Sequence, residues 1–209
     1  MSRSFLFLLG SARVEGNTEL LARAAAEQLP GDVEQRWLDL SQLRLPDFSD
    51  TRRATDPASP VENDEELLRQ ATLAATDVVI ASPLYWYSVS SSTKRYLDYW
   101  SNWLSAPDPG FRARMAGRTL WGVTVMTHRE EIVAEPLILT LHHTAAYMGM
   151  RFGGVLLGNG SRPGQVLDDE RALTRAKTFF AQDAPPARFP YENDNENVNA
   201  DKGGDGQGN

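Results

Sequence analysis

The chain has 209 residues, of which 41% are hydrophobic, and a formal net charge of −7. This length accommodates one domain with a full hydrophobic core, and the lack of any basic run argues against a nucleic-acid partner. The chain contains no cysteine, which excludes disulfides, thiolate catalysis, cysteine-ligated zinc and iron–sulfur clusters. No apolar segment approaches the roughly 18 residues of a membrane-spanning helix, and the opening apolar run is shorter than a secretory signal core. We therefore expect a cytoplasmic protein.

Strand and helix signals alternate along most of the chain. Short apolar runs that end at Gly or Pro are typical of strands buried on both faces, and apolar residues spaced three and four apart are typical of helices. These signals predict strands over residues 4–9, 33–40, 77–82, 119–126 and 151–157, and helices over residues 18–29, 64–75, 92–104, 136–148 and 168–182. Residues 41–63 form an unusually long predicted crossover loop.

Five strands that alternate with helices predict an α/β fold, an open, doubly wound parallel sheet with helices on both faces. We expect this single domain to span residues 1–183. Residues 184–209 are rich in Pro, Asn, Asp and Gly and carry five acidic and two basic side chains. Because this composition cannot build a core, we expect residues 184–209 to be a disordered acidic tail.

The turn between the first strand and the first helix, residues 10–18, reads GSARVEGNT. The first turn of a helix presents unpaired N–H groups and the positive end of the helix dipole, so phosphate groups bind there. Ser11, Asn17 and Thr18 add short donors, and Arg13 adds a charge that can pair with phosphate oxygens. Neither a P-loop nor a dinucleotide-binding glycine pattern is present. The alternative interpretation is an ordinary helix cap at Asn17 or Thr18 beside a solvated Arg13.

A second informative turn follows the third strand and contains SPLYWYSVSSST over residues 82–93. In a sheet of strand order 2-1-3-4-5, ligands bind at the carboxyl ends of the first and third strands, where the strand order reverses. This turn is therefore expected to face residues 10–18 across one crevice. Tyr85, Trp86 and Tyr87 need an apolar partner there, either a flat bound ring or a second subunit. Packing in the core is the alternative for these aromatic residues.

The two turns together resemble the flavin-binding loops of NAD(P)H-dependent FMN reductases and flavodoxin-like quinone reductases. The resemblance rests on Gly-Ser-x-Arg-x-x-Gly-Asn-Thr at residues 10–18 and Pro-x-Tyr at residues 83–85, followed by Lys94 and Asp98 on the next helix. It covers the order of elements over residues 5–180. It implies a flavodoxin-like domain with FMN as cofactor and NADPH or NADH as reductant. The loop after the second strand lacks the cysteines that some relatives use for an iron–sulfur cluster.

The resemblance also implies which residues bind the flavin. Residues 10–18 would hold the phosphate, and the turn after the third strand would lie along the flavin ring. The loop after the fourth strand would border the same ring. In that last loop we expect His128 to donate a proton to the reduced acceptor and Arg129 to stabilise negative charge on the reduced flavin. The alternative is that both residues belong to a solvated loop. The expected catalytic residues are His128 and Tyr87. The expected cofactor-binding residues are Ser11, Arg13, Gly16, Asn17, Thr18, Pro83, Leu84, Tyr85, Trp86, Tyr87, Val89, Thr127 and Arg129.

The resemblance implies an enzyme that passes hydride from NAD(P)H to FMN and electrons on to a small-molecule acceptor, such as a quinone or a flavin. The alternative is a flavodoxin-like electron carrier that is served by a protein partner and lacks NAD(P)H activity. A homodimer is expected from the predicted helix over residues 92–104, because aromatic residues are enriched at interfaces. Its apolar arc comprises Tyr96, Leu97, Tyr99, Trp100, Trp103 and Leu104.

Overall fold

The computed structural model describes residues 2–50, 64–105 and 110–191. In chain order its strands and α-helices are β1 Ser4–Leu9, α1 Asn17–Ala26, β2 Glu34–Asp39, α2 Glu65–Ala74, β3 Asp77–Ala81, α3 Ser91–Ser105, α4 Phe111–Met115, β4 Thr119–Met126, α5 Glu135–Tyr147, β5 Arg151–Asn159 and α6 Glu170–Ala176. The short helix α4 is absent from the sequence prediction, and the predicted last helix is α6 flanked by two 3-10 turns. None of the helices in the described ranges is long and apolar enough to cross a membrane.

The alternation of side chains along the central strands produces two hydrophobic cores. In β1, Leu6 and Leu8 belong to the core beneath α2, α3 and α5. Phe5 and Phe7 point to the other face and join the core beneath α1 and α6. Because both faces are covered, the strand is apolar at each position after Ser4, which is the pattern that identified it in the sequence.

All five strands are parallel and are arranged in the order β2-β1-β3-β4-β5. This confirms the predicted doubly wound, flavodoxin-like sheet with helices on both faces. The last residue of β1, Leu9, lies opposite the last residue of β3, Ala81. The next amide, Gly10 N–H, donates to the Ala81 carbonyl over 2.9 Å. The loops that follow β1 and β3 therefore start side by side at the carboxyl edge of the sheet.

The aromatic residues of α3 are buried within the chain, which removes the basis on which the homodimer was predicted. Each of four side chains is 5% exposed or less: Tyr96, Tyr99, Trp100 and Trp103. The Tyr96 hydroxyl shares a 2.9 Å hydrogen bond with Thr72 Oγ1, and the Tyr99 hydroxyl donates to the Pro46 carbonyl. The connection after β2 and helix α2 thus cover this face. Helical periodicity shows which face is apolar, but it cannot show what covers that face.

The described chain continues beyond Asp183, the end of the domain that the sequence predicts, and packs on the sheet. Ala184 is buried, the Pro185 carbonyl accepts from Phe152 N–H, and Ala187 N–H donates to the Met150 carbonyl. This segment is therefore tied to the start of β5. Most of the predicted tail, residues 192–209, and residues 51–63 of the predicted crossover loop lie outside the described residues.

Candidate functional site

The loop after β1 is packed tightly against the start of α3. The Ser92 hydroxyl donates to the Gly10 carbonyl over 3.1 Å. A Cβ atom added to Gly10 would lie 2.0 Å from Thr93 Oγ1 and 2.9 Å from Ser90 Oγ. Only glycine therefore permits this close approach. The contact joins the loop after β1 to the helix that begins where the loop after β3 ends.

The shape of the loop is maintained by hydrogen bonds that leave the Arg13 guanidinium out. Ser11 Oγ accepts from Arg13 N–H over 3.0 Å, and Glu19 Oε2 accepts from Glu15 N–H over 3.0 Å. Glu19 is held in turn by Arg23 over 2.7 Å. Within the described part of the chain the Arg13 guanidinium has no carboxylate partner. It is a cation beside the start of a helix and is available to an anionic ligand.

The start of α1 is not capped by a side chain from the described residues. Gly16 occupies the N-cap position and has no side chain, so the backbone N–H groups in the first turn of α1 have no side-chain cap. Asn17 is used elsewhere: its Nδ2 donates to the Arg162 carbonyl over 2.8 Å, and its Oδ1 accepts from Val166 N–H. This argues against the alternative in which residues 10–18 are an ordinary helix cap. The free N–H groups and the helix dipole favour an anion at this position.

The loop after β3 is closed at its base. Ser82 Oγ accepts from Ser90 N–H over 2.9 Å, and the side chain of Val89 is buried in the core beneath α3. Val89, expected to lie at the edge of the flavin, therefore places only its backbone near the loop surface. The base of this loop is rigid because it is anchored on both sides.

The tip of the same loop is a tight hairpin turn. Tyr85 and Ser88 exchange two backbone hydrogen bonds of 3.0 Å. The two residues between them, Trp86 and Tyr87, have φ angles of +48° and +64°, as in a type I′ turn. That turn usually contains Asn and Gly, and the left-handed conformation costs a bulky residue about 1–2 kcal/mol. Strain of this kind is concentrated at functional sites.

A cavity of about 190 Å³ lies between the two loops at the carboxyl edge of the sheet. Nine of the residues expected to bind the cofactor line it: Ser11, Arg13, Gly16, Asn17, Thr18, Pro83, Leu84, Tyr85 and Thr127. The loop after β1 and the start of α1 contribute the Arg13 cation and polar groups to the lining, and the loop after β3 contributes Leu84 and Tyr85. The lining therefore combines groups that suit a phosphate with groups that suit a flat ring.

The remaining expected residues do not line this cavity. Trp86 and Tyr87 project from its rim and are 93% and 53% exposed. His128 is exposed in the loop after β4. Arg129 lines a neighbouring cleft of about 370 Å³, together with Glu131 and residues of α6. The structure thus brings nine of the expected residues together at one cavity, and the expected catalytic residues His128 and Tyr87 are not among those that line it.

Two parts of the site were missed by the sequence analysis. Gly160 and Ser161, in the loop after β5, complete the cavity wall. Asn159, the last residue of β5, donates from its side-chain amide to the carbonyls of Thr127 and His128 over 2.9 Å. The loop after β5 could have been predicted as part of the site, because the loops that follow the strands of a parallel sheet all lie at the same edge.

Comparison with known proteins gives consistent matches. The family model described as NADPH-dependent FMN reductase matches residues 4–152. A Bacillus subtilis protein described as a candidate NAD(P)H-dependent FMN-containing oxidoreductase, YwqN, is 32% identical over 172 residues, 82% of this chain and 93% of that protein. The structure of the Trp repressor binding protein from Bacillus subtilis aligns with a TM-score of 0.67 and 27% identity, covering 86% of this chain and 99% of that one.

A more distant structure shares the fold. The NAD(P)H:quinone oxidoreductase from Methanothermobacter marburgensis aligns with a TM-score of 0.66 and covers 85% of this chain and 96% of that one. Its sequence identity is 17%, so this likeness concerns the fold alone.

Proposed function

The chain belongs to the NADPH-dependent FMN reductase family, and we propose that it binds FMN between the loops after β1 and β3. In this proposal it takes hydride from NADPH or NADH and passes electrons to a quinone, a flavin or a similar acceptor. One observation carries the proposal: a single cavity is lined both by an uncapped helix start with Arg13 and by Leu84 with Tyr85.

The described residues fit both ends of FMN. At the phosphate end, the N–H groups of α1, the Ser11 hydroxyl and the Arg13 guanidinium are all donors, and a phosphate is a dianionic acceptor. Gly16 keeps this end open, because a Cβ there would lie 3.1 Å from Ser11 Oγ and 3.3 Å from the Arg13 carbonyl. At the ring end, Pro83 and Leu84 offer an apolar wall suited to a flat heterocycle.

FMN, when bound, supplies a ring that accepts hydride and returns electrons to a second substrate. The contribution of the protein is to bind and orient. Arg13 and the start of α1 would hold the phosphate, and the anchored loop after β3 would hold the ring end. The loop after β4 is held by Asn159, so the groups it carries have a defined position.

Roles for the exposed groups near the cavity follow as part of the same proposal. His128 is the proposed proton donor to the reduced acceptor, since its backbone is fixed by Asn159 while its ring is accessible. Arg129, in the adjacent cleft, is the proposed countercharge for the reduced ring. Tyr87, on the rim, is the proposed second group that contacts the substrates.

The test measures whether the protein binds FMN and whether NADPH or NADH reduces the bound flavin. Protein incubated with FMN and then desalted should be yellow, and anaerobic mixing with NADPH or NADH should bleach the flavin rapidly. Bound flavin that NADPH and NADH do not bleach would favour the electron carrier. Protein that stays colourless would refute the proposal. A steady-state screen of quinones, flavins, nitro compounds and azo compounds then identifies the acceptor.

A homodimer is a separate proposal. It rests not on α3 but on a surface formed by α5 and the chain around Phe189 and Tyr191. Leu139 and Tyr147 are exposed on α5, and a row of rings continues from His143 to Phe189 and Tyr191, with centroid spacings of 5.5 and 5.1 Å. His143 and Phe189 are half-buried and Tyr191 is exposed, and exposed large side chains that cluster on a surface mark interaction sites. Light scattering at micromolar concentration should give twice the chain mass of 23.2 kDa. A mass near that of one chain would refute the dimer.

A further inference from the structure

Five arginines lie together at the amino edge of the sheet, opposite the cavity. They belong to α4, to the starts of β4 and β5 and to the segment after α6, and we call them the arginine patch: Arg112, Arg114, Arg118, Arg151 and Arg188. Within the described residues none of the five forms an ion pair with a carboxylate. Arginines elsewhere do, such as Arg23 over 2.7 Å and Arg95 over 2.8 Å.

Backbone contacts hold the arginine patch together. Arg151 N–H donates to the Arg118 carbonyl over 2.8 Å, and Arg118 Nε donates to the Arg114 carbonyl over 2.6 Å. Residues 186–187 pair with the start of β5, which brings Arg188 to the same edge. The patch is therefore a property of the folded chain, since its members are far apart in sequence.

The positive charge of the patch is not balanced by the elements around it. Residues 110–129 and 136–167, which build most of this edge, contain no Asp or Glu. Asp77, which starts β3 at the same edge, is buried and already paired with Arg3 over 2.6 Å. Burial, and after it the positive charge of Arg114, lower the pKa of Arg118 below its usual range. Uncompensated like charges of this kind attract an anionic partner.

The chain itself supplies an anionic partner directly beside the patch. Residues 192–209 carry five acidic side chains against one basic side chain, Lys202, which gives a net charge of −4. The described chain reaches Tyr191, close in sequence to Arg188, so this acidic segment is tethered at the patch. Tethering provides an effective concentration of about millimolar, at which individually weak surface ion pairs are sufficient.

We propose that the arginine patch is the docking surface for the chain's own acidic segment, residues 192–209. Arginines of the patch pair with carboxylates of the segment, and salt weakens the pairing because four of the five arginines are exposed. A docked segment also keeps other polyanions away from the patch. The cavity lies at the opposite edge of the sheet, so this inference is independent of the proposed function.

The test follows the acidic segment in the full chain by NMR. The chain contains no cysteine, so Asn197→Cys provides a single site for a nitroxide label. At about 10 mM salt the amide signals of Arg114, Arg118 and Arg151 should lose more than about half of their intensity, whereas the signal of Arg36 on β2 should be unchanged. At about 1 M salt, where the Debye length is about 3 Å, the lost intensity should return.

Charge reversal tests whether the pairing is electrostatic and specific to the patch. In the labelled protein, Arg114→Glu with Arg188→Glu should remove the loss of intensity at low salt. Adding Asp194→Lys with Glu196→Lys should restore most of it, because the reversed charges attract again. If a reversal variant does not fold, as its amide spectrum shows, the salt series on the chain without these reversals decides alone.

A control pair reverses two charges outside the patch. Arg36→Glu with Lys177→Glu, both at exposed positions, should leave the loss of intensity unchanged. An equal effect of this pair, signals that are not reduced at low salt, or a reduction that survives about 1 M salt would each overturn the inference. A reduction caused by a separate labelled copy, mixed with unlabelled protein, would assign the patch to a second copy instead. Binding of a short DNA duplex at low salt by the unsubstituted chain would assign it to nucleic acid.

Discussion

The side-chain amide of Asn159 donates a hydrogen bond to the backbone carbonyl of Thr127 over 2.9 Å. The same amide lies 3.1 Å from the Met126 carbonyl and 2.9 Å from the His128 carbonyl. The backbone N–H of Asn159 donates in turn to the Asp169 carboxylate. One residue at the end of β5 thus fixes the loop after β4, which borders the cavity.

Replacing Asn159 should destabilise the protein in a way that depends on charge. Asn159→Ala removes a donor shared by three carbonyls and should lower the free energy of unfolding by about 1–3 kcal/mol. Asn159→Asp places a carboxylate against the same acceptors and should lower it further. Urea denaturation at pH 7 measures both values. An aspartate variant as stable as the alanine variant would show that the amide does not fix this loop.

Arg13→Ala should weaken FMN binding through the phosphate. Loss of a hydrogen bond to a charged group costs about 1.5–3 kcal/mol, which corresponds to a Kd roughly 10- to 100-fold higher. Riboflavin lacks the phosphate, so its affinity should not change. Arg36→Ala, on the exposed side of β2, is the matched control for lost positive charge. Equal FMN affinity in the wild-type and Arg13→Ala proteins, measured by flavin fluorescence, would refute the phosphate assignment.

Gly10→Ala should destabilise the fold by about 1–3 kcal/mol, because the new methyl group overlaps Thr93 Oγ1. Gly31→Ala is the control, since a Cβ there meets nothing within 4 Å, and it should stay within about 0.5 kcal/mol. Thr93→Ala combined with Gly10→Ala should recover part of the loss. Additive effects of the two substitutions in thermal denaturation would contradict direct contact.

Asp77→Asn should destabilise the protein without affecting FMN binding. Asp77 is buried and accepts from Arg3 over 2.6 Å and from Trp121 Nε1 over 2.8 Å. Breaking a fully buried pair costs about 3–5 kcal/mol. Because the Arg3 side chain is 42% exposed, we expect Asp77→Asn to lower the free energy of unfolding by a smaller amount, about 2–3 kcal/mol. The residue starts β3, at the sheet edge opposite the cavity, so a changed Kd of FMN would contradict this reasoning.

The strands, their order, the family and the cofactor class predicted from the sequence are confirmed. The strands were accessible because a strand covered on both faces is a nearly continuous apolar run, as β1 after Ser4 and β3 after Asp77 show. The cavity wall formed by residues 11–18 could be predicted because these residues are nearly contiguous, and Ser11, Arg13, Gly16, Asn17 and Thr18 line the cavity together. Their binding of phosphate stays a prediction. Roles of individual residues at the ring end stay predictions.

The sequence by itself determined the doubly wound sheet, because apolar runs mark its strands. It also predicts a phosphate-binding loop at residues 10–18, from small donors and one arginine at a helix start. Only the tertiary structure decided what each aromatic group contacts. The aromatic face of α3 is buried because the connection after β2 packs on it, whereas Trp86 is exposed because a closed turn holds it on the rim. Hydrophobicity is the same in both places. Contacts between residues distant in the chain make the difference.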